Sequence, residues 1–528
     1  MHILLRGNKF NIISKFLIDL FWHNQKNKIK LYLILLFAIL VITIISNLTL
    51  PIIFKYIIDE NSTILFFAIY GSFWAITQIL SQLREFIMVP VIESAIMNME
   101  GDLFTHLMKM PFSYHAEKKI GNLVDVFEKA QNSLPYFAHG FFFHIIPNVV
   151  KIITSVILVA KYLNIKYALV IFFTITISIL LNYLGVVWQS KAQRAKNIAD
   201  LEASAKFVDR ISNFETLITA SNIETETNKF NNVLLKRKKL RIISSARLYL
   251  VNIIQSIILG GAFIYLMISS GNLMLAGKIT KGEFVMLHSY FVNIALPLRL
   301  IGYILLQVKQ SLTDLELIIS LFNIPPAKNN IKKIDHINEI EFINVNFRHL
   351  KNINFKLKRG ESLVIKGPSG SGKTTIIRLL LGLYTPDSGE ILINNINLNE
   401  LELSNFRKHT ATVLQDSELF NENLESNLFS KNLRKINEIM RIVNLKDSNQ
   451  QVGQKGMKLS GGERKRVNIA RALLRDADLI IFDEPAAGLD LALAQQIFNK
   501  IETSLQAKIK IIISHDYAFK SDYEITLN

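Results

Sequence analysis

Residues 362–382 read SLVIKGPSGSGKTTIIRLLLG, which joins an apolar strand to a helix through a glycine-rich turn. The turn matches the phosphate-binding P-loop pattern in the strand–turn–helix context that this pattern requires. Its glycines let backbone N–H groups point inward, at a helix start that attracts anions. The predicted nucleotide-binding residues here are Gly367, Pro368, Ser369, Gly370, Ser371, Gly372, Lys373, Thr374 and Thr375. We expect Lys373 to reach the phosphates of ATP and the Thr374 hydroxyl to bind Mg²⁺.

A second apolar strand, residues 479–482, ends in the two carboxylates Asp483 and Glu484. In P-loop proteins an aspartate at such a strand end holds Mg²⁺, and a glutamate beside it can act as general base towards the attacking water. An acidic strand end alone is weak evidence, but its pairing with the P-loop predicts an ATP hydrolase. Short β-rich runs alternate with helical patterns after residue 339, which predicts an α/β sheet around both motifs.

The pentad Leu459-Ser460-Gly461-Gly462-Glu463 lies between these motifs and precedes an arginine-rich helix. Its backbone and the Ser460 hydroxyl offer another anion-binding helix start. Because this pentad is the signature of ATP-binding-cassette proteins, the chain resembles that family. The resemblance implies that Ser460, Gly461 and Gly462 contact nucleotide bound to the P-loop of a second cassette. We therefore expect a symmetric homodimer with two hydrolysing sites.

Other positions match further motifs of the family. Gln415 resembles its glutamine loop, which senses Mg²⁺ and the membrane domain, and His515 resembles the histidine that contacts the γ-phosphate. His349 stands where relatives usually place an aromatic residue, mostly tyrosine, to stack on adenine. The resemblance thus implies a catalytic set of Glu484, His515 and Gln415, and a Mg²⁺-binding set of Thr374, Gln415 and Asp483.

Composition favours a chain that is part membrane and part aqueous. The 528 residues are 50% hydrophobic yet 20% charged, and the mean hydropathy is +0.29. The formal net charge of +17 would suggest nucleic acid in a soluble protein. In a membrane protein basic cytoplasmic loops explain this charge, so we predict no nucleic-acid partner. The absence of cysteine excludes disulfides and thiolate metal sites.

Six charge-poor runs before residue 310 are each long enough to cross a bilayer as a helix. They cover approximately residues 31–54, 61–83, 137–162, 167–190, 248–277 and 284–308. We predict an all-α six-helix transmembrane domain at 1–323, a linker at 324–338, and an α/β P-loop NTPase cassette at 339–528 with a short helical subdomain and a truncated C-terminus. The excess of lysine and arginine before the first and fifth runs predicts that both termini are cytoplasmic. The membrane domain also makes membrane lipid a predicted partner.

Two long connections, 84–129 and 191–247, are rich in helix formers and largely lack proline and glycine. They predict helical extensions into the cytoplasm that bend at residues 111–113 and 212–214. We expect both turns to dock into the cassette near Gln415, so that ATP-driven closure moves the membrane helices.

Six spans before one cassette resemble the exporter-type half-transporters of the family. The stretches 114–121, 213–216 and 310–316 look like the iron–sulfur-related, heavy-metal-tolerance branch, the mitochondrial-type exporters and bacterial relatives that move glutathione-linked compounds. This likeness implies export of a glutathione- or iron–sulfur-related compound. We expect a bacterial inner membrane, since no arginine- and serine-rich presequence precedes the first span. A lipid or peptide exporter, and a membrane-bound cassette ATPase with a regulatory role, stay open as alternatives.

Polar residues within the spans predict a substrate cavity. The branch's fifth-span Asn-x-x-Gln is present as Asn252 and Gln255, while Lys151 and Arg299 replace an acidic residue and an asparagine. A charge in mid-membrane is costly, so such residues usually face a bundle interior or a water cavity. Lys151 and Arg299 therefore predict an anion-attracting cavity and an anionic substrate, with snorkelling towards an interface as the alternative.

A histidine pair, His139 and His144, lies in the third span. In an α-helix, residues five positions apart point to different faces. A metal site built from this pair is therefore not expected.

Overall fold

The computed structural model divides the chain into two compact units. One contains Met1–Met108 and Ile120–Ile324, and the other contains Lys109–Lys119 and Pro325–Asn528. The residues that the structure describes are 7–60, 63–117, 120–327, 331–415, 418–445, 447–514 and 521–527. The break after Ile324 falls at the start of the predicted linker, whereas the first cytoplasmic turn groups with the second unit.

The N-terminal part of the chain is helical. In chain order its elements are α1 (Gly7–Ile18), a π-helical turn (Asp19–His23), α2 (Asn27–Asp59), α3 (Ile64–Met108), α4 (Phe112–Glu117), α5 (Ile120–Ala138), a π-helix (His139–Ile145), α6 (Ile146–Tyr162), α7 (Ile165–Ser212), α8 (Phe214–Thr219), α9 (Ile223–Leu275) and α10 (Lys281–Phe322). Among the described residues, six helices are long and apolar enough to cross a membrane. This confirms the predicted six-helix, multi-pass membrane fold, while the bounds of the single spans stay a prediction; residues 61 and 62 of the second predicted span lie outside the described residues.

Several spans continue well beyond a bilayer. Helix α7 has 48 residues and α9 has 53. At a rise of about 1.5 Å per residue they are roughly 70–80 Å long, more than twice the ~30 Å hydrocarbon layer. Ion pairs join the two helices along these extensions, from Arg241 to Asp200 at 2.8 Å and from Arg210 to Glu226 at 2.9 Å. The predicted long helical extensions are therefore confirmed.

The first and last spans are tied together at their ends. The Asp59 carboxylate, at the end of α2, accepts hydrogen bonds from the Thr280 hydroxyl at 2.6 Å and from the Gly282 N–H at 2.8 Å. Lys55 pairs with Glu283 at 3.2 Å. A carboxylate at the start of α10 also suits the positive end of that helix. These contacts fix the start of α10 against the end of α2.

The third span contains the π-helix His139–Ile145 between α5 and α6. Pro147, near the start of α6, has no N–H, so the Phe143 carbonyl cannot form its usual α-helical hydrogen bond. A π-helix bonds each residue to the one five positions along, which places residues five apart about one turn from each other. The expectation that His139 and His144 point to different faces assumed an α-helix, and it is wrong for this segment.

The second unit contains two sheets surrounded by short helices. Its strands are β1 (Glu339–Phe347), β2 (Leu350–Lys358), β3 (Ser362–Lys366), β4 (Ser388–Ile393), β5 (Ile396–Asn397), β6 (Thr410–Val413), β7 (Leu479–Asp483), β8 (Ile509–Ile513) and β9 (Tyr523–Thr526). Its longer helices are α11 (Lys373–Leu380), α12 (Leu403–Lys408), α13 (Leu424–Asn427), α14 (Leu433–Ile442), α15 (Gly461–Leu474) and α16 (Leu491–Leu505). The antiparallel sheet has the order β2-β1-β4-β5, and the parallel sheet has the order β6-β7-β8-β3-β9.

The parallel sheet explains why the nucleotide motifs meet. Strands β3 and β7 are almost wholly buried, which fits their unbroken apolar sequences. The P-loop follows β3, Gln415 follows β6, and Asp483 ends β7. Because the carboxyl ends of parallel strands share one edge, the fold gathers these residues there. The predicted α/β cassette is confirmed.

The first cytoplasmic turn packs inside the second unit. The Phe112 ring of α4 lies 5.6 Å from the Tyr384 ring, edge to face, and Tyr384 stacks on Phe347 at 5.3 Å. The Ala327 N–H donates to the Lys109 carbonyl at 2.9 Å. An aromatic cluster around Tyr384 therefore holds this turn, and its predicted approach to Gln415 stays a prediction.

Candidate nucleotide site and membrane cavity

The P-loop forms a tight cradle between β3 and α11. Gly372 has a φ of +98°, and a Cβ at this position would lie 2.7 Å from the His349 ring nitrogen Nε2. Only glycine fits a backbone that is both left-handed and this crowded. The buried Lys373 ammonium donates to the carbonyls of Gly367 at 2.7 Å and Pro368 at 2.8 Å. Lys373 therefore lies within the P-loop, where it is predicted to contact the phosphates of ATP.

One polar atom of the cradle has no protein partner. The Ser371 hydroxyl oxygen is buried and makes no hydrogen bond within the described residues. Such groups need a partner, and a glycine-rich turn at a helix start is suited to supply N–H groups to the same anion. The rim of the loop is exposed at Pro368, Ser369 and Gly370. The loop thus fits the polyphosphate of ATP.

Thr374 and Asp483 meet at the carboxyl edge of the parallel sheet. The Thr374 hydroxyl donates to Asp483 Oδ2 at 3.1 Å, and Asp483 is 1% exposed. Burial raises the pKa of Asp483, and the hydrogen bond from Thr374 opposes this rise. A hydroxyl and a carboxylate at this spacing suit a hard cation such as Mg²⁺, whose charge favours the ionised carboxylate. Thr375 follows in the first turn of α11 and is half-buried.

Gln415 and Glu484 come together from the ends of β6 and β7. The Gln415 Nε2 donates to Glu484 Oε2 at 2.9 Å. Glu484 has a φ of +49°, and its N–H donates to the Ile513 carbonyl at 2.9 Å. A left-handed glutamate is strained, and strained residues of this kind cluster at functional sites. The edge therefore presents Glu484 next to Asp483, and its role as general base stays a prediction.

A cavity of about 390 Å³ opens beside the P-loop. Its walls come from His349 and strand β2, from Ser371, and from residues 525–527 after and within β9. Small-molecule sites commonly occupy about 300–1,000 Å³. The position of His349 fits an adenine contact, and that role stays a prediction.

The signature pentad forms the start of α15. The Ser460 hydroxyl accepts from the Glu463 N–H at 3.2 Å, and the Glu463 carboxylate accepts from the Ser460 N–H at 2.9 Å. The hydrogen bonds from the backbone and hydroxyl of Ser460 lower the pKa of Glu463. Ser460 and Gly461 are exposed, and Gly462 is half-buried. This capped helix start is therefore presented on the surface of the described chain.

His515, the predicted contact to the γ-phosphate, lies outside the described residues, which stop at 514 and resume at 521. Strand β8 ends two residues earlier at Ile513, which pairs with Asp483 in β7. The role of His515 stays a prediction.

Lys151 lines a small polar cavity inside the membrane domain. The cavity measures about 50 Å³, and its polar walls come from Asn47, Lys151, Ser155, Tyr290 and Asn293. The Tyr290 hydroxyl donates to a backbone carbonyl of α2 at 2.7 Å, which joins α10 to α2 beside the cavity. Sequence reasoning missed Ser155, although its four-residue spacing from Lys151 on one helix is a usable signal.

Gln255 lies in the packing between helices. It is fully buried, and its Nε2 donates to the Leu298 carbonyl at 2.8 Å. Asn182 donates to the same carbonyl at 3.4 Å, next to Pro297 of α10. Asn182 in turn requires Gly302, because a Cβ there would lie 2.5 Å from the Asn182 side-chain oxygen. These amides from α7 and α9 thus supply hydrogen bonds to the backbone of α10.

The remaining predicted cavity residues lie elsewhere. Asn252 is half-buried on α9, and Arg299 is exposed on α10. The walls of the cavity beside Lys151 include neither of them, nor Gln255, among the described residues. A substrate cavity that joins Lys151, Asn252, Gln255 and Arg299 stays a prediction.

Comparisons with known proteins match both parts of the chain. The family model of the ABC transporter transmembrane region matches residues 29–296, and that of the ABC transporter matches residues 350–487. The iron-sulfur clusters transporter ATM1, mitochondrial, of Candida glabrata is 29% identical, with 95% of this chain and 75% of that protein covered. The protein of the same name from Kluyveromyces lactis is 28% identical, with the same shares covered.

A solved structure of a bacterial Atm1-family ABC exporter with ATP bound has the same fold. Its TM-score is 0.86 at 22% identity, with 95% of this chain and 94% of that chain covered. The transmembrane-region match spans just over half of the chain, and the cassette match includes the P-loop, the signature and the acidic strand. The chain therefore belongs to the ABC transporter family and couples ATP hydrolysis to transport.

Proposed function

We propose that two copies of this chain form an ATP-driven exporter with two ATP- and Mg²⁺-binding sites. The observation that carries the proposal is the meeting of Thr374 with Asp483, and of Gln415 with Glu484, at one sheet edge. Thr374, Gln415 and Asp483 hold Mg²⁺, and Glu484 takes the proton of the attacking water. The exposed helix start at Ser460 supports a second chain as the partner that completes each site.

The phosphates of ATP bind to the P-loop, to Lys373 and to the Ser371 hydroxyl. Their negative charge is stabilised at the start of α11, because a helix start favours anions. His349 contacts adenine in the cavity beside the P-loop, and His515 contacts the γ-phosphate. Mg²⁺ neutralises charge on the phosphates when it is bound. The residues of this chain position the phosphates and Mg²⁺, and they hold the proton acceptor Glu484 close to the attacking water.

The two cytoplasmic turns couple the cassettes to the membrane helices. In the first turn, Phe112 packs on Tyr384 within the second unit. In the second turn, α8 carries Phe214 and Ile218, whose side chains are 53% and 49% exposed. Large apolar side chains at the end of a polar hairpin indicate a contact surface. We expect this surface to dock on a cassette of the dimer.

The cargo is an anionic, thiol-derived compound of the glutathione or iron–sulfur-related class. The polar cavity beside Lys151 supports an anion, because a lysine lined by amides and hydroxyls attracts negative charge in a low-dielectric bundle. The relatives named as iron-sulfur clusters transporters support the thiol-derived class. The basic segments of the sequence support a cytoplasmic location of both termini. The membrane in this proposal is a bacterial inner membrane.

Transport in liposomes tests this proposal. The purified dimer is reconstituted into liposomes, and ATP, Mg²⁺ and radiolabelled glutathione disulfide are added outside. Only dimers whose cassettes face outward reach this ATP, so their export activity is measured as uptake of the disulfide into the vesicles. We expect ATP-dependent uptake by the wild type and none by Glu484→Gln, which serves as the matched control. Parallel vesicles carry a fluorescent phospholipid or a labelled peptide.

The three arms separate the alternatives. Lipid or peptide movement without uptake of the disulfide would overturn the cargo class. ATP hydrolysis without movement of any probe would favour a regulatory ATPase. A preparation that stays monomeric in the membrane and still hydrolyses ATP would overturn the proposal that a second chain completes each ATP site.

A further inference from the structure

The cassette carries a second cluster of polar residues at the opposite edge of its parallel sheet. His409 directly precedes β6, and Asp478 directly precedes β7. These strands are adjacent and parallel, and the Asp478 N–H donates to the His409 carbonyl at 2.9 Å. His336, in the segment before β1, completes the cluster. The nucleotide motifs lie at the carboxyl ends of these strands, so this cluster at the amino ends is separate from them.

The side chains of the cluster converge on one carboxylate oxygen. Asp478 Oδ2 lies 3.2 Å from His409 Nδ1 and 3.4 Å from His336 Nδ1. One potential ligand atom from each of the three residues lies within 4.8 Å of the others. Tetrahedral zinc has Zn–N bonds of about 2.0–2.1 Å and Zn–O bonds of about 2.0–2.2 Å, which set ligand–ligand edges of about 3.3–3.5 Å. Two edges of such a site are already close to that length.

The surroundings hold two of the three ligands in place. Asp478 Oδ2 also accepts the Ile337 N–H at 3.1 Å, and the Arg359 guanidinium lies 4.0 Å from the other carboxylate oxygen. The Asp478 and His409 side chains are 12% and 24% exposed, whereas that of His336 is 63% exposed. An exposed third ligand can move to close the remaining edge and leaves a path for an ion to enter.

We propose that His336, His409 and Asp478 bind a divalent transition-metal ion, with Zn²⁺ as the ion that this donor set fits best. Two imidazole nitrogens and one carboxylate oxygen form a common zinc ligand set, with water as the fourth ligand. Bound zinc joins the segment before β1 to the start of β6 and β7. It therefore stabilises the cassette at an edge remote from ATP.

Zinc binding to the full-length protein tests the proposal. The protein in detergent, free of nucleotide, is titrated with ZnSO₄ by calorimetry, and its thermal unfolding is followed with and without zinc. The wild type is expected to bind one more zinc ion per chain than His336→Ala, a variant that removes an exposed side chain and leaves the core of the cassette unchanged. His23→Ala, which removes an exposed histidine of the membrane domain, is the control and should bind as the wild type does.

Asp478→Asn provides the second variant, because its side-chain oxygen can still accept the Ile337 N–H while the charged ligand is lost. Its affinity for zinc should fall by more than about 100-fold. This exceeds the loss of about 10- to 100-fold that is typical when a residue that only supports a metal ligand is changed. Cobalt added to the wild type should give the strong visible absorption of a four-coordinate ion, and the variants should not.

Two results would overturn the proposal. One is an equal number of zinc ions per chain in the wild type, His336→Ala and Asp478→Asn. The other is a loss of thermal midpoint in His336→Ala and Asp478→Asn that is the same with and without zinc, which would show that the cluster supports the fold only through its ion pairs.

Discussion

The nucleotide site and the membrane cavity hold their polar residues by different means. In the cassette, Thr374 and Asp483 meet at 3.1 Å because Asp483 ends β7 and Thr374 lies in the first turn of α11, which follows β3 of the same parallel sheet through the P-loop. In the membrane domain, Gln255 and Lys151 reach their surroundings only through the packing of helices distant in sequence. The comparison teaches that backbone turns fix the chemistry of the cassette, whereas interhelical packing decides which membrane residues face a cavity and which support the bundle.

The largest expected effect is at Glu484, the proposed catalytic carboxylate of the cassette. Glu484→Gln keeps the shape of the side chain but removes the proposed proton acceptor. ATP hydrolysis should fall by about 10²- to 10⁴-fold, the range for a general base, while ATP binding persists. Steady-state hydrolysis and binding of a fluorescent ATP analogue measure the two effects.

Glu524→Gln is the matched control, since this exposed carboxylate of β9 pairs with Lys366 at 2.8 Å and has no proposed catalytic role. Its turnover should match the wild type. Near-normal hydrolysis by Glu484→Gln would refute the assignment of the general base and with it the cassette side of the comparison.

The next effect concerns the packing of the membrane domain. Gly302→Ala places a Cβ against the Asn182 amide, which must then leave the Leu298 carbonyl. Overpacking of this kind costs about 1–3 kcal/mol, so the thermal midpoint in detergent should fall. Gly260→Ala is the control, because a Cβ there meets nothing within 4 Å and alanine favours a helix. Equal midpoints for both variants would mean that α7 and α10 do not approach this closely.

Sequence reasoning predicted the features that depend on local patterns. The six spans followed from the length of apolar runs, and the cassette followed from the P-loop, the signature and the acidic strand end. Each of these motifs specifies its own backbone geometry within a few residues, as the left-handed Gly372 and the capped Ser460 illustrate. The edge of the parallel sheet brings Gln415 and Glu484 together, a contact that sequence reasoning did not predict.

Most features that sequence reasoning missed depend on residues far apart. The π-helix at His139–Ile145 is a local exception, because Pro147 removes the partner of the Phe143 carbonyl, but the hydrophobic pattern of the span does not reveal it. The hydrogen bond from Gln255 to Leu298 depends on how α9 packs against α10. The cluster of His336 and Asp478 joins residues 142 positions apart and so has no short motif.

A smaller effect is expected for the charge in the membrane cavity. A unit charge about 10 Å from an anion, at an effective dielectric constant of about 20, contributes roughly 1.7 kcal/mol. Lys151→Gln should therefore raise the glutathione disulfide concentration for half-maximal ATPase stimulation by about 15- to 20-fold, with basal hydrolysis unchanged. Lys161→Gln, at the exposed end of the same helix, should leave this concentration unchanged. An equal response of both variants would show that Lys151 does not attract the cargo.

The smallest effect is expected at the base of the nucleotide. His349 lies against Gly372 of the P-loop and lines the adjoining cavity, so its ring can stack on adenine. Loss of an aromatic stack removes about 1 kcal/mol, which predicts a roughly fivefold higher KM for ATP in His349→Ala with little change in kcat. His349→Tyr should bring KM back to the wild-type value or below it, since a larger ring stacks over more area. If alanine and tyrosine at this position gave the same KM as histidine, adenine would lie elsewhere, and the recognition of the base would depend on packing between chains rather than on a residue next to the P-loop.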